Sequence, residues 1–236
     1  MLIINNKTMY IHIPKTSGTN LRYVFAESAN NVVDYDEVGK EKVLSTPARD
    51  LFWAGRDISD LKSHPFLNLQ EIDYSATKHA PLWVWQQTGD WNGHKVITIV
   101  RNPYTRAVSL YKQILRLFGN TVNQEMTFDE FLNSPAIQYT IDRFPHSHKT
   151  QQVDYLKDLN GDVKIDKFYK IESDMAGFAR AHKIKGLNSK KHNSANYDRD
   201  YSKIYDDFLI DWVRTTYADD FEAFGYSTEP FWLTSS

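Results

Sequence analysis

The sequence predicts an α/β fold, a central and mostly parallel β-sheet flanked by helices. Two short apolar runs, "MYIHI" from Met9 to Ile13 and "KVITIV" from Lys95 to Val100, read as strands, the second with the β-branched pattern of a buried parallel strand. Each is followed by a turn and then a helical pattern, and a third strand-like run, "VKIDKFYK" at about 163 to 170, stands between two helical ones. Strands that alternate with helices require crossover connections, and crossovers make neighbouring strands parallel.

The elements follow in chain order. Behind the first strand come a turn, Pro14 to Thr19, and a helix from about Asn20 to Ala29 that Thr19 or Asn20 can cap. Residues 31 to 75 show scattered aromatics without a clean period, which fits loops with a short strand and a short helix. Pro81 disfavours helical geometry at Ala80 and suits the first turn of a helix through Leu82, Val84, Trp85 and Gln87, with His79 just ahead of it. From Tyr104 to Phe118, the residues Val108, Tyr111, Leu115 and Phe118 recur at three- and four-residue steps, the stripe of an amphipathic helix. Thr127 and Glu130 in "TFDEFL" have capping-box spacing. Further helices are expected at about 148 to 159, 173 to 183 and 201 to 218.

A chain of 236 residues with 41% hydrophobic side chains can enclose one core, and no repeat or Pro/Gly/Ser linker divides it, so a single domain over 1–236 is expected. The balance of 28 basic against 30 acidic residues gives no footprint of a nucleic-acid partner. No run approaches the roughly 18 apolar residues of a membrane span, and the N-terminus lacks signal-peptide features, so a soluble, cytoplasmic protein is expected. With no cysteine, disulfides, thiol chemistry and cysteine-ligated zinc are excluded.

Two places carry the chemistry. The strand-turn-helix at "IPKTSGTN" offers main-chain N–H groups and the positive end of a helix to an anion, with Lys15 adding a full charge and Thr16, Ser17 and Thr19 hydroxyl donors. It is not the general P-loop, because Lys15 comes three positions before Gly18 instead of directly after a glycine. An ordinary β-turn with a surface lysine is the plain alternative. The second strand ends in Arg101, where a triphosphatase would often have a magnesium-holding aspartate. Arg101 and Ser109, eight positions on, can converge on one phosphate, while Arg106 reads as a solvated or helix-packing residue. Two anion sites at the carboxyl ends of adjacent strands suit one ligand with a phosphate at each end.

These two motifs, in this order, resemble those of the sulfotransferases that use 3′-phosphoadenosine 5′-phosphosulfate (PAPS). "IHIPKTSGTNL" is similar to the 5′-phosphosulfate loop of the carbohydrate branch that includes the heparan sulfate 2-O-sulfotransferases, where "IPKTGGT" is usual and Ser17 here replaces the first of the paired glycines. "RNPYTRAVSLY" resembles the 3′-phosphate motif, and fainter likeness runs through "QQVDYLKD", "FYKIESD" and "YADDFEAFGY". The resemblance implies a P-loop-like nucleotide-binding fold in which Lys15, Thr16, Ser17, Gly18, Thr19 and Asn20 surround the 5′-phosphosulfate and Arg101 and Ser109 the 3′-phosphate. Lys190 and Lys191 occupy the place of a loop that closes over the nucleotide, with a solvated basic loop as the alternative. The resemblance also implies PAPS as sulfuryl donor, no metal, a hydroxyl acceptor that is a saccharide, and catalysis by Lys15 at the leaving phosphate with His79 as base, 22 positions before Arg101.

The remaining candidates have plainer readings. His12 lies in the first strand and reads as core, His94 as a loop residue, and His146 and His148 as an acceptor-side loop without further metal ligands. Trp53, Trp83, Trp85 and Trp91 read as core before they read as a sugar or adenine platform. Glu172 and Asp174 read as acidic residues at the start of a helix. The rival functions are a P-loop-type nucleotide kinase or triphosphatase, and a nucleotide-binding module without catalysis. The sequence sets neither the acceptor's identity nor the oligomeric state.

Overall fold

The computed structural model describes residues 2–4, 7–16, 21, 32–34, 81–86, 93–118, 127–133, 150–184 and 200–234. Its centre is a five-stranded sheet made of β1 (Leu2–Ile4), β2 (Thr8–Ile11), β3 (Val32–Asp34), β4 (Lys95–Val100) and β5 (Lys167–Lys170), in the order β3-β1-β2-β4-β5. β2, β4 and β5 are parallel, with Ile11 opposite Thr98 and Ile97 opposite Lys167. β1 runs antiparallel to both β2 and β3, and so extends the parallel part on one side. The α/β architecture is therefore present. β1 itself was not expected, because a three-residue apolar run is too short to stand out from its surroundings.

Alternation along the strands sends successive side chains to opposite faces. Met9, Ile11, Val96 and Val100 pack on one face with Leu82, Trp83, Tyr155, Leu156 and Phe224. Tyr10, Ile97, Ile99 and Tyr169 pack on the other with Leu21, Phe178 and Ile184. Both faces of the parallel strands are covered, which is why "KVITIV" reads as a nearly continuous apolar run. Trp83 is core, as expected, and belongs to α1 (Leu82–Gln86) behind Pro81.

The helix after β4, α2 (Pro103–Phe118), buries Tyr104, Ala107 and Val108 against α3 (Phe128–Asn133), α5 (Asp207–Thr216) and α6 (Ala218–Phe224). α3 starts with the expected capping box: the Thr127 N–H donates to Glu130 Oε2 at 2.7 Å and the Glu130 N–H to Thr127 Oγ1 at 3.2 Å. α4 (Met175–Ala181) follows β5 and ends with Lys183 in the left-handed region, φ 54°. There the Ile184 N–H reaches back to the Ala179 carbonyl, a normal helix ending. Among the described residues the last helix is α7 (Phe231–Thr234), and no helix is long and apolar enough to cross a membrane.

Two expected helices differ. In the region 148 to 159, the described helical part is a single 3₁₀ turn, Val153–Leu156. Side chains compete with helix formation here: Asp154 accepts the Gln151 N–H, the Gln152 amide reaches across to Arg101, and Lys157 is extended to bridge Val163. The expected helix at 201 to 218 is broken into a 3₁₀ turn (Tyr201–Lys203), α5 and the start of α6. Asp206 causes the first break, since its extended backbone and its Oδ1, which accepts the Leu209 N–H at 2.9 Å, begin a new helix.

Candidate active site

β2 and β4 are neighbours in parallel register, so the turn after β2 and the first residues after β4 emerge at the same edge of the sheet. The turn at Pro14 to Thr16 is compact and buried at both ends. Thr16 is fully buried and its hydroxyl donates to the Ile13 carbonyl at 2.8 Å, so this proton closes the turn. Lys15 has φ 70°. For a residue with a Cβ, that conformation costs about 1–2 kcal/mol, and nothing like the helix ending at Lys183 explains it. Such outliers concentrate at functional sites, and here the strained position carries the candidate cation.

Contacts from α2 hold the turn. The Lys15 ammonium donates to Gln113 Oε1 at 2.6 Å. Arg106 is fully buried; its Nε donates to the Pro14 carbonyl at 3.4 Å, its Nη1 to the Thr150 carbonyl at 3.0 Å, and its guanidinium lies 5.6 Å from the centre of the Tyr217 ring. Nη2 is also buried and has no hydrogen-bond partner among the described residues. Of the two readings of Arg106, solvated or helix-packing, the structure bears out the second: it is a packing residue that ties the turn to the segment at Thr150.

The end of β4 is built differently. The Arg101 N–H donates to Gln152 Oε1 at 2.8 Å, and Gln152 Nε2 donates to the Arg101 carbonyl at 2.8 Å. One side-chain amide thus stands in for a neighbouring strand. Asp220, fully buried, accepts from Gln152 Nε2 at 3.2 Å and from the Val153 N–H at 2.9 Å, which fixes the orientation of that amide. Burial pushes the Asp220 carboxyl above its ordinary range, against the nearby positive charge of Arg106 and its own hydrogen bonds. Asn102 then starts α2: its Oδ1 accepts the Tyr104 N–H at 3.0 Å, and its own N–H donates to Glu172 Oε1 at 2.8 Å. Pro103 occupies the first helical position, where its missing N–H costs nothing.

The two ends meet at the Arg101 guanidinium. Nε donates to Thr105 Oγ1 at 2.9 Å and Nη1 to the Lys15 carbonyl at 3.3 Å. Thr105, Ser109 and Gln113 are spaced by four along α2, hence lie on one stripe of the helix. Its ends touch Arg101 and Lys15, so Ser109, also buried, sits on the stripe between the partners of both cations. The arrangement places the cations of Lys15 and Arg101 along one stripe of α2 at the same edge of the sheet, a placement that suits an anion with charge at more than one point.

Of the other sequence candidates, His12 is buried and stacks near Tyr10, and His94 lies outside a strand just before β4. Asp174 stands ahead of α4; its Oδ2 accepts the Lys170 N–H at 2.8 Å, which, with Ser173, holds its carboxyl below the usual range. Glu172 has a second role besides Asn102, because Tyr226 Oη donates to its Oε2. Ser17, Gly18, Thr19, Asn20, His79, Lys190, Lys191, Trp53, Trp91, His146 and His148 lie outside the described residues, as does the side chain of Trp85. Sequence reasoning missed Thr105, Gln113, Gln152 and Asp220. The four-residue spacing from Ser109 could have indicated the first two.

Residues 4–227 match the family model described as Sulfotransferase family, a span that contains every residue of the constellation above. Neither a curated protein nor a solved structure matches the chain.

Proposed function

Because the chain belongs to the sulfotransferase family, we propose that it takes the sulfuryl group from PAPS and transfers it to a hydroxyl of a saccharide. The observation that carries this reading is the 3.3 Å bond from Arg101 Nη1 to the Lys15 carbonyl. It links the end of β4 to the turn after β2, and this proximity supports a single nucleotide with charged groups on both its 3′ and 5′ positions as the ligand. PAPS supplies the activated sulfuryl group and a bisphosphate as leaving group.

The chain's residues have distinct tasks in this reading. The Lys15 ammonium neutralises charge that develops on the 5′ side, and the resemblance assigns Thr16 to Asn20 to the same phosphosulfate loop. The Thr16 hydroxyl serves the turn, since it donates to Ile13. Arg101 and Ser109 hold the 3′-phosphate; Lys190 and Lys191 cover the nucleotide. His79 takes the proton of the acceptor hydroxyl, a step worth about 10²- to 10⁴-fold in rate. The saccharide acceptor rests on the likeness of "IPKTSGT" to the carbohydrate branch.

Thermal melting tests the donor site, because a ligand of the folded state raises the melting point. Adenosine 3′,5′-bisphosphate is expected to stabilise the protein in the presence of a chelator. Stabilisation by ATP with magnesium, and not by the bisphosphate, would overturn the reading in favour of a kinase or triphosphatase.

A further inference from the structure

Arg101 is held from two sides by residues outside both motifs' cationic positions. Gln152 grips its main chain through both N–H and carbonyl at 2.8 Å, and Asp220 leaves that amide only one orientation. Thr105 grips the guanidinium through Nε at 2.9 Å, and its own hydroxyl proton goes to the Asn102 carbonyl at 3.1 Å. The hydroxyl is thereby oriented with a lone pair toward Arg101. Nη1 is taken by Lys15 and Nε by Thr105, whereas Nη2 takes part in neither bond. An arginine side chain ordinarily loses much rotamer freedom when it clamps an anion, and here that cost is met before binding.

We propose that Thr105 and Gln152 are positioning residues that set the preference for a nucleotide bearing a 3′-phosphate, by presenting the Arg101 guanidinium in a fixed direction without touching the ligand themselves. Thr105 fixes the plane of the guanidinium. Gln152 fixes the point from which the side chain leaves the strand. The inference rests on the assignment of Arg101 to the 3′-phosphate made above.

The test compares two ligands that differ only in that phosphate, adenosine 3′,5′-bisphosphate and adenosine 5′-monophosphate, titrated against the full chain by calorimetry. The native protein is expected to prefer the bisphosphate by about 10- to 100-fold, the worth of a charged hydrogen-bonding partner. Thr105→Val should reduce that preference by about 3- to 10-fold and leave monophosphate affinity nearly unchanged, while Thr105→Ser should restore it. Gln152→Met keeps the volume and should act in the same direction, and thermal melts of all three variants confirm that they are folded. Thr105→Val suffices if Gln152→Met does not fold. A Thr105→Val protein with the native preference would overturn the inference and leave the donor reading intact; equal losses for both ligands would mark Thr105 as structural and overturn it too. If the native protein shows no preference, the 3′-phosphate assignment fails, and the inference falls with it.

Discussion

The end of β2 and the end of β4 deliver their cations by opposite means. After β4, neutral amides and carboxylates secure the main chain at 2.8–3.0 Å: Gln152 on Arg101, Glu172 and the Asn102 side chain at the start of α2. After β2, the Thr16 hydroxyl bonds within the turn, and the carbonyls of Pro14 and Lys15 are held by arginines of the other end, Arg106 on Pro14 and Arg101 on Lys15. The β4 end is thus a scaffold in its own right, and the β2 turn hangs on it. This division explains how Lys15 can stay in a left-handed conformation: bonds from a rigid neighbour impose it.

The strongest way to break the comparison is to remove the strut. Arg106→Ala should leave the Pro14 and Thr150 carbonyls without the Arg106 donors and the buried Asp220 without the positive charge that opposes its raised pKa. A loss of about 3–5 kcal/mol in urea unfolding is expected, the usual consequence of removing one member of a buried charged network. A loss below about 1 kcal/mol would show that the turn supports itself.

Lys15→Gly separates strain from function. Glycine accepts φ 70° without penalty, so the variant should be as stable as the native protein or more stable by about 1 kcal/mol, even though the bond to Gln113 is gone. In the proposed sulfuryl transfer from PAPS, its turnover should fall by at least about 10²-fold, as for loss of a charge-stabilising donor. If stability dropped by several kcal/mol, Lys15 would be a structural residue and the turn would not be hanging on its neighbour.

Glu172→Gln probes the scaffold's exposed margin. The amide retains an acceptor for the Asn102 N–H but loses charge, so a cost of less than about 1 kcal/mol in the same unfolding assay is expected. A larger loss would mean that the scaffold depends on this single carboxylate.

The same contrast explains what could be read from the sequence. β4 and α2 were legible because local signals agreed: a β-branched run, a proline at the first helical turn and a regular apolar stripe. Lys15 and Arg101 stood out as cations at strand ends. The scaffold did not, because Gln152 and Asp220 act across 51 and 68 positions of the chain, on Arg101 and on Gln152 respectively. Nothing in "QQVDY" indicates that a glutamine will complete a sheet edge, and the same side-chain bonds turned an expected helix there into one 3₁₀ turn. The choice between the solvated and the packing reading of Arg106 stayed open for a related reason: its spacing on α2 is compatible with either solvent or core, and only the carbonyls of Pro14 and Thr150 decide for packing.

The smallest expected effect concerns pH and asks whether the scaffold's own buried charge is fully compensated. Burial raises the Asp220 carboxyl above its ordinary value of 3.8, with Arg106 and the Val153 and Gln152 donors opposing the shift. Between that ordinary value and the raised one, the folded protein keeps a proton that the unfolded chain has released. Stability from this group is therefore fully present below about pH 4 and is lost as pH rises through the folded-state value. Asp220→Asn removes the titration, so the difference in unfolding free energy between the native protein and the variant should shrink as pH rises from about 4, even though the variant also disturbs the Gln152 amide at every pH. A difference that stays constant with pH would mean that the guanidinium of Arg106 and the two N–H donors offset the burial of Asp220 completely, and the β4 end would then be a scaffold without electrostatic cost.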